Sequence, residues 1–327
     1  MQEAKKPLVS IGIPTYNRAD GYLRECLASA LNQTHENVEV IVSDNCSTDS
    51  TGALIRSISD SRLRYIRHEK NIGPANNFNY CLKQARGAYF LLLHDDDLID
   101  PDFVEICMKA AGDSTDYGII RTGTRVIDSN GNVLNELRNS VVGLSTEDFF
   151  RGWFQEKTSW YLCSTLYNTE RLRAIGGFQS KRQLVQDGTA IVKLASNYGR
   201  VDVEDVKASF RKHPGELTFA AKVKDWCEDY LALLNIMCEV VDEKKDLIRM
   251  EGQRFLCRIN YNRARAIKSP FEKLKTYLMV YRKFNYSEPL TKYLFSIYLW
   301  SRIMRAKNYI NRLLKKITFL LPWGRRL

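Results

Sequence analysis

No uncharged run in the 327 residues is longer than twelve, so the chain lacks the roughly 20 apolar residues that a membrane-spanning helix needs. Paired cysteines are missing as well. The eight, at 26, 46, 81, 107, 163, 227, 238 and 257, contain no C-x-x-C pair and no zinc-like spacing, which argues against a zinc finger. Several sit in apolar patterns, where Cys behaves as a small hydrophobe, so free thiols in a reducing compartment are expected. No repeat of fixed period is present, which argues against a solenoid. The polar MQEAKK leads directly into a strand-like run and lacks the apolar core of a secretory leader, making a cytoplasmic location the expectation.

What is there is a globular composition with an uneven charge. The net charge is +11, but residues 251–327 alone hold eighteen Lys or Arg against three Glu, a balance of +15, leaving −4 for the rest. The basic character therefore belongs to the C-terminal quarter and implies an acidic partner for that part. A mildly acidic body argues against nucleic acid as the ligand of the whole.

The first hundred residues alternate strand and helix patterns. Leu8–Pro14, Val38–Ser43, Arg64–Arg67 and Tyr89–Leu93 read as strands, and Tyr22–Gln33 and Asn76–Arg86 have helical spacing. This alternation implies βαβ units and a parallel sheet, in which ligands bind at the carboxyl ends of the strands. Three of these strands end in polar residues: Pro14-Thr15-Tyr16-Asn17-Arg18, Asp44-Asn45 and His94-Asp95-Asp96-Asp97. All three ends should converge on one rim. Residues 113–215 are mixed, with a hairpin turn at 127–132, a tight bend at Gly176-Gly177-Phe178 and a short helix over 189–195. From Lys222 onward the pattern is almost wholly helical, and the domain boundary is placed near 218.

Three successive aspartates after an apolar strand repel one another, and a divalent cation relieves that repulsion. Hard carboxylate oxygens suit Mg²⁺ or Mn²⁺. An acidic turn ahead of a helix starting at Pro101 accounts for the triplet alone equally well. Likewise, residues 14–18 combine a rigid turn, an aromatic face and a cation that could stack on a base and contact phosphate, or form a plain βα loop.

The order VSIGIPTYNR, VSDNCSTDST, NIGPANNFN, ARGAYFLLLHDDD resembles the family 2 glycosyltransferases of the GT-A fold, over roughly residues 8–215. The resemblance implies a Rossmann-like, mostly parallel α/β sheet flanked by helices in a catalytic domain, residues 1–218, with a helical, basic region over 219–327. It further implies that Pro14, Thr15 and Tyr16 line a nucleotide pocket, with Arg18 near the diphosphate and Asp44 on the base edge, most often uracil. Asn71 and Gly73 would shape the adjoining loop. Asp95 would lie near the ribose, and Asp96 and Asp97 on an Mn²⁺ or Mg²⁺ ion whose site His213 completes. Asp187, after Gln186, would be the general base. His94 stands where many members have an aspartate. The implied activity is metal-dependent, inverting transfer of a sugar from a nucleotide donor, UDP-linked, to a saccharide or lipid-linked acceptor in bacterial polysaccharide biosynthesis.

From Leu290 to Leu321 apolar residues recur at helical spacing among basic ones, as in helices that lie on an anionic membrane or pack on another subunit. Peripheral attachment to the inner face of the cytoplasmic membrane is therefore expected. Two other readings compete. A sugar nucleotidyltransferase would carry a Gly-rich, Lys/Arg-bearing loop after the first strand, which PTYNRADGYL does not provide. A non-enzymatic, basic-tailed binding protein leaves the three polar strand ends unexplained.

Overall fold

The apolar run after Pro7 becomes β1 (Val9–Thr15), whose seven residues are all buried, as expected of a central strand covered on both faces. Around it, the computed structural model describes residues 6–215, 221–291 and 293. Beyond β1 come α1 (Leu23–Leu31), β2 (Val38–Asp44), α2 (Thr51–Arg56), β3 (Leu63–Arg67), α3 (Pro74–Gln84), β4 (Tyr89–Leu92), β5 (Leu98–Ile99) and α4 (Phe103–Ala110). Next are β6 (Ile119–Ile127), β7 (Val133–Leu137), α5 (Thr146–Phe154), β8 (Thr165–Asn168), α6 (Thr169–Ala174), α7 (Gln186–Tyr198) and β9 (Arg200–Arg211). Three helices complete the described chain: α8 (Val223–Glu239), α9 (Lys245–Ala264) and α10 (Pro270–Lys283).

The nine strands form one sheet in the order β3-β2-β1-β4-β8-β6-β9-β5, with β7 on β6. The first four are parallel, as the alternating pattern predicts. Beyond β4 the sheet is mixed: β8 is antiparallel to both neighbours and β6 runs parallel to β9. On α1 the buried stripe is Leu23, Cys26, Leu27 and Ala30, the face the helical spacing indicates. Helix α3 starts with Pro74 at its first turn and packs closely on the sheet. A Cβ on Gly12 would stand 2.8 Å from Cys81 Cβ and 2.7 Å from the Phe90 ring, so only glycine fits there. The 127–132 turn is observed, with Asp128 accepting from the amides of Asn130 and Asn132.

Two compact units divide the chain: Met1–Ala221 with Glu228–Gly252, and Lys222–Cys227 with Gln253–Leu327. The first holds the sheet. In the second, Tyr261, Tyr277 and Tyr293 form a buried ring cluster and Arg258 pairs with Glu288 at 2.7 Å. All eight cysteines are free, and seven of them are buried. Among the described residues no helix is long and apolar enough to cross a membrane. The basic amphipathic stretch expected over 290–321 lies, beyond Tyr293, outside the described residues.

Candidate active site

Parallel register brings the polar strand ends together. Thr15 pairs with Asp44, and Gly12 pairs with Leu92, so the loops after β1, β2 and β4 leave the same edge. Side chains then tie these loops to each other. The Arg18 amide donates to Thr51 Oγ1 at 2.8 Å, that of Asn17 to Ser47 Oγ at 2.9 Å, and that of Ala19 to Asp49 at 3.1 Å. Asn45 reaches the next loop, donating to Asn71 Oδ1 at 2.9 Å and accepting from the Ile72 amide at 2.7 Å. Asn71 also accepts from Gly73, whose φ of 83° suits glycine. Pro14 and Thr15 are buried in β1, whereas Tyr16 is 45 % exposed at the rim.

Asp44 is fully buried, and both its oxygens are engaged. One accepts from the Ser47 amide at 2.8 Å; the other accepts from the Tyr65 hydroxyl at 2.6 Å, with Arg67 at 3.8 Å. Asp44 thus holds its own loop, and contact with a base edge would use the lone pairs that remain.

The aspartate triplet points three ways. Asp95 faces Arg18 at 3.4 Å. Asp96 meets His213 Nε2 at 2.9 Å, and Asp97 accepts from the Arg211 amide at 2.9 Å. Arg211, itself buried, also donates to the Asp96 carbonyl and pairs with Glu25 at 2.7 Å, anchoring the end of β9 beneath the cluster. Burial, then the Asp96 charge, pushes Asp95 up to about 6 against the pull of Arg18. The same two causes raise Asp97 well above the carboxylate range. Packed carboxylates that resist ionising are what a divalent cation would relieve.

A donor set for such an ion is present. His94, Asp96 and Asp97 each offer a ligand atom, all within 4.8 Å of one another. His94 Nε2 is buried without a hydrogen-bond partner among the described residues, and burial lowers its pKa, keeping the imidazole neutral as a ligand must be. One nitrogen with carboxylate oxygens fits Mn²⁺ or Mg²⁺.

Asp187 stands in a different setting, in the first turn of α7, where the helix N-terminus favours a negative charge. Burial pushes it up to about 6. The bend upstream is fixed by Asn79, which accepts from the Phe178 amide at 2.8 Å and donates to the Phe178 carbonyl at 3.0 Å. At Gly177 φ is 76°, and a Cβ would fall 2.2 Å from Asn79 Oδ1. Buried Arg121, whose charge lowers the Asp187 pKa, bonds Thr158, Thr165 and the Ser159 carbonyl. Tyr161, pushed up to about 12 by burial, is within electrostatic reach of both Asp97 and Asp187.

The structure thus gathers Thr15, Arg18, Asp44, Asn71, Asp95, Asp96, Asp97 and His213 along one rim, while Asp187 stands apart at the start of α7, its charge felt by the same Tyr161 that feels Asp97. The sequence reading places Asn45 at a polar strand end without giving it a role, leaves His94 out of the ligand set and assigns nothing to Arg211. An ionisable residue directly ahead of the acidic triplet is the available signal for His94, and the polar end of an apolar strand is that for Asn45; nothing local marks Arg211.

Residues 10–174 match the family described as Glycosyl transferase family 2. An uncharacterized glycosyltransferase of Rickettsia bellii is 32 % identical over 265 residues, 76 % of this chain and 36 % of that protein. The chondroitin synthase of Escherichia coli is 37 % identical over 131 residues, 39 % of this chain and 19 % of the synthase. The chain thus spans about a third or less of the length of these curated relatives. Among solved structures, S. aureus TarS 1-349 in complex with UDP-GlcNAc superposes with a TM-score of 0.65 at 19 % identity, covering 86 % of this chain and 82 % of that one. The mannosyltransferase PcManGT from Pyrobaculum calidifontis, in complex with GDP-Man and Mn²⁺, gives 0.56 at 18 % identity, covering 90 % and 86 %. The fold is that of the GT-A glycosyltransferases, and the chain belongs to glycosyltransferase family 2.

Proposed function

We propose that the protein is a metal-dependent, inverting glycosyltransferase that moves a sugar from a UDP-linked donor to a saccharide or lipid-linked acceptor in bacterial polysaccharide biosynthesis. The observation that carries this reading is the convergence of Asp44, Asp95, Asp96, Asp97 and His213 at one end of a parallel sheet. The relatives support the chemistry by analogy: TarS is seen with UDP-GlcNAc, and the E. coli relative is a chondroitin synthase.

In this reading the rim of Pro14, Thr15, Tyr16 and Asp44 receives the base, with Tyr16 offering an exposed ring for stacking. Asp95 approaches the ribose, and Arg18 is released toward the diphosphate. Asp96 and Asp97, flanked by His94 and His213, would hold Mn²⁺ or Mg²⁺, which supplies positive charge against the departing diphosphate. Asp187 accepts the acceptor hydroxyl proton as that oxygen bonds to the anomeric carbon and the bond to the diphosphate breaks. A single displacement inverts the configuration. A carboxyl pushed to about 6 is ionised at neutral pH, yet more basic than an ordinary aspartate, as a general base requires. We assign the basic 219–327 region to contact with an anionic membrane surface, on the strength of the +15 balance over 251–327.

The test is a panel of nucleotide sugars assayed for nucleoside diphosphate release with Mn²⁺ and with chelator. Turnover of a UDP-sugar that chelator abolishes is expected. Undiminished turnover under chelation would remove the metal from the scheme, and no response to any nucleotide sugar would remove the scheme itself.

A further inference from the structure

Helix α8 lies beyond the residues that match the family, and it carries a fully buried carboxylate, Asp229, that the proposed chemistry does not use. Glu228–Gly252 belongs to the same compact unit as the sheet. Asp229 Oδ1 accepts from the Arg182 amide at 2.6 Å, and Oδ2 accepts from the Leu184 amide at 2.8 Å and from Ser180 Oγ at 2.7 Å. Ser180 Oγ in turn accepts from the amides of Leu184 and Val185 at 3.1 and 3.3 Å. Next to Asp229, Glu228 pairs with the Arg182 guanidinium at 2.6 Å. The 180–185 segment belongs to no helix or strand and turns through a left-handed Gln183, φ 59°. Its amides therefore need side-chain acceptors, and Asp229 provides them. Val185 is the cap of α7, and Asp187 follows two residues later.

We propose that Asp229 is a positioning residue: from α8 it clamps the 180–185 loop and so sets where Asp187 stands. The inference rests on the reading of Asp187 as general base. A loop with no ladder of its own can place a base to within the fraction of an ångström that proton transfer needs only if its backbone is held. A buried carboxylate accepting three hydrogen bonds is a stiff anchor, because charge-assisted bonds are short and strong. Its charge has a second effect: burial chiefly raises the Asp187 pKa, and Asp229 adds to that rise.

Steady-state kinetics of the full chain with its donor, as a function of pH, tests the clamp. Asp229→Asn turns an acceptor into an amide donor facing amide donors; kcat should fall roughly 10- to 100-fold while donor KM stays within about twofold. Its acid limb should move slightly to lower pH, since a charge that adds to the rise at Asp187 is gone. Ser180→Ala keeps that charge and loosens the loop, so kcat should fall less and the acid limb should not move. Wild-type kcat and acid limb in Asp229→Asn would overturn the inference, as would equal damage to kcat and donor KM with no movement of the limb. Should Asp229→Asn fail to fold, an unchanged kcat in Ser180→Ala overturns it. Asp187→Asn run alongside separates the two claims: retained turnover there sinks the base assignment and the clamp with it, whereas a dead Asp187→Asn beside an unimpaired Asp229→Asn sinks the clamp alone.

Discussion

The candidate site has two halves built by different means. The strand-end half takes its residues from β1, β2 and β4, whose parallel register delivers Thr15, Asp44 and the 94–97 run to one edge. The Asp187 half depends on a loop held by side chains distant in sequence: Asn79 on Phe178 and Asp229 on the Arg182 and Leu184 amides. Register is set by the whole sheet and tolerates local change. A loop held at two points depends on each of them. Under the proposed function, substitutions in the two halves should therefore impair donor binding and proton removal separately.

The largest effect expected is a crossed pair. Asp187→Asn should lower kcat about 10²- to 10⁴-fold, the range a positioned general base contributes, and leave metal-dependent nucleotide binding intact. Asp96→Asn should instead weaken that binding at least about 10-fold, because it removes a carboxylate from the 94–97 donor set and the partner of His213. Calorimetric titration of UDP with Mn²⁺, beside turnover assays, checks both. If the two variants failed in the same way, the division between the halves would be wrong.

A smaller effect is expected at Asp44. Its two oxygens accept from the Ser47 amide and the Tyr65 hydroxyl, so Asp44→Asn turns an N–H₂ toward a donor. One misplaced buried hydrogen bond costs about 1–3 kcal/mol, or roughly 5- to 150-fold in donor KM, with kcat little changed. Tyr65→Phe leaves the carboxylate in place and should cost less. Equal effects on kcat and KM in Asp44→Asn would place Asp44 in the chemistry instead of the pocket.

The same contrast explains what the sequence discloses. From β1 to β4, short helices between buried strands carry a clean pattern, and observed boundaries fall within one or two residues of those expected. β9 carries no such signal. Its burial is irregular, and its pairing with β6 shifts register at Gly123, because it is held by non-local partners and not by alternation. The triplet is legible because three adjacent acids at a strand end are chemically conspicuous. His213 and Asp187 became visible only through the family resemblance. Asp229 was invisible, being one acid on an amphipathic helix 47 residues from the Arg182 amide it holds. Side-chain clamps across such gaps leave no local pattern to read.

The smallest effect separates the halves by thermodynamics. Asp187 has a folded pKa of about 6 against an ordinary 3.8, so its protonated form is the one the fold favours. Its contribution to stability is full below about pH 4 and is lost as pH rises through 6. At pH 8 the wild-type protein therefore carries the cost of a buried charge, on the order of 1–3 kcal/mol, which Asp187→Asn should relieve. The variant should melt above wild type at pH 8, and the gap should close toward pH 4. Asp95, also raised to about 6, should behave alike in chelator. Mn²⁺ distinguishes them. An ion bound at the triplet stabilises the ionised carboxylates around it, so it should erase or reverse the gain from Asp95→Asn at pH 8 while leaving that of Asp187→Asn unchanged. A melting series at two pH values, with and without Mn²⁺, reads all four cases; an Mn²⁺-dependent gain at Asp187 would mean that the ion's field extends over both halves and that they are one electrostatic site.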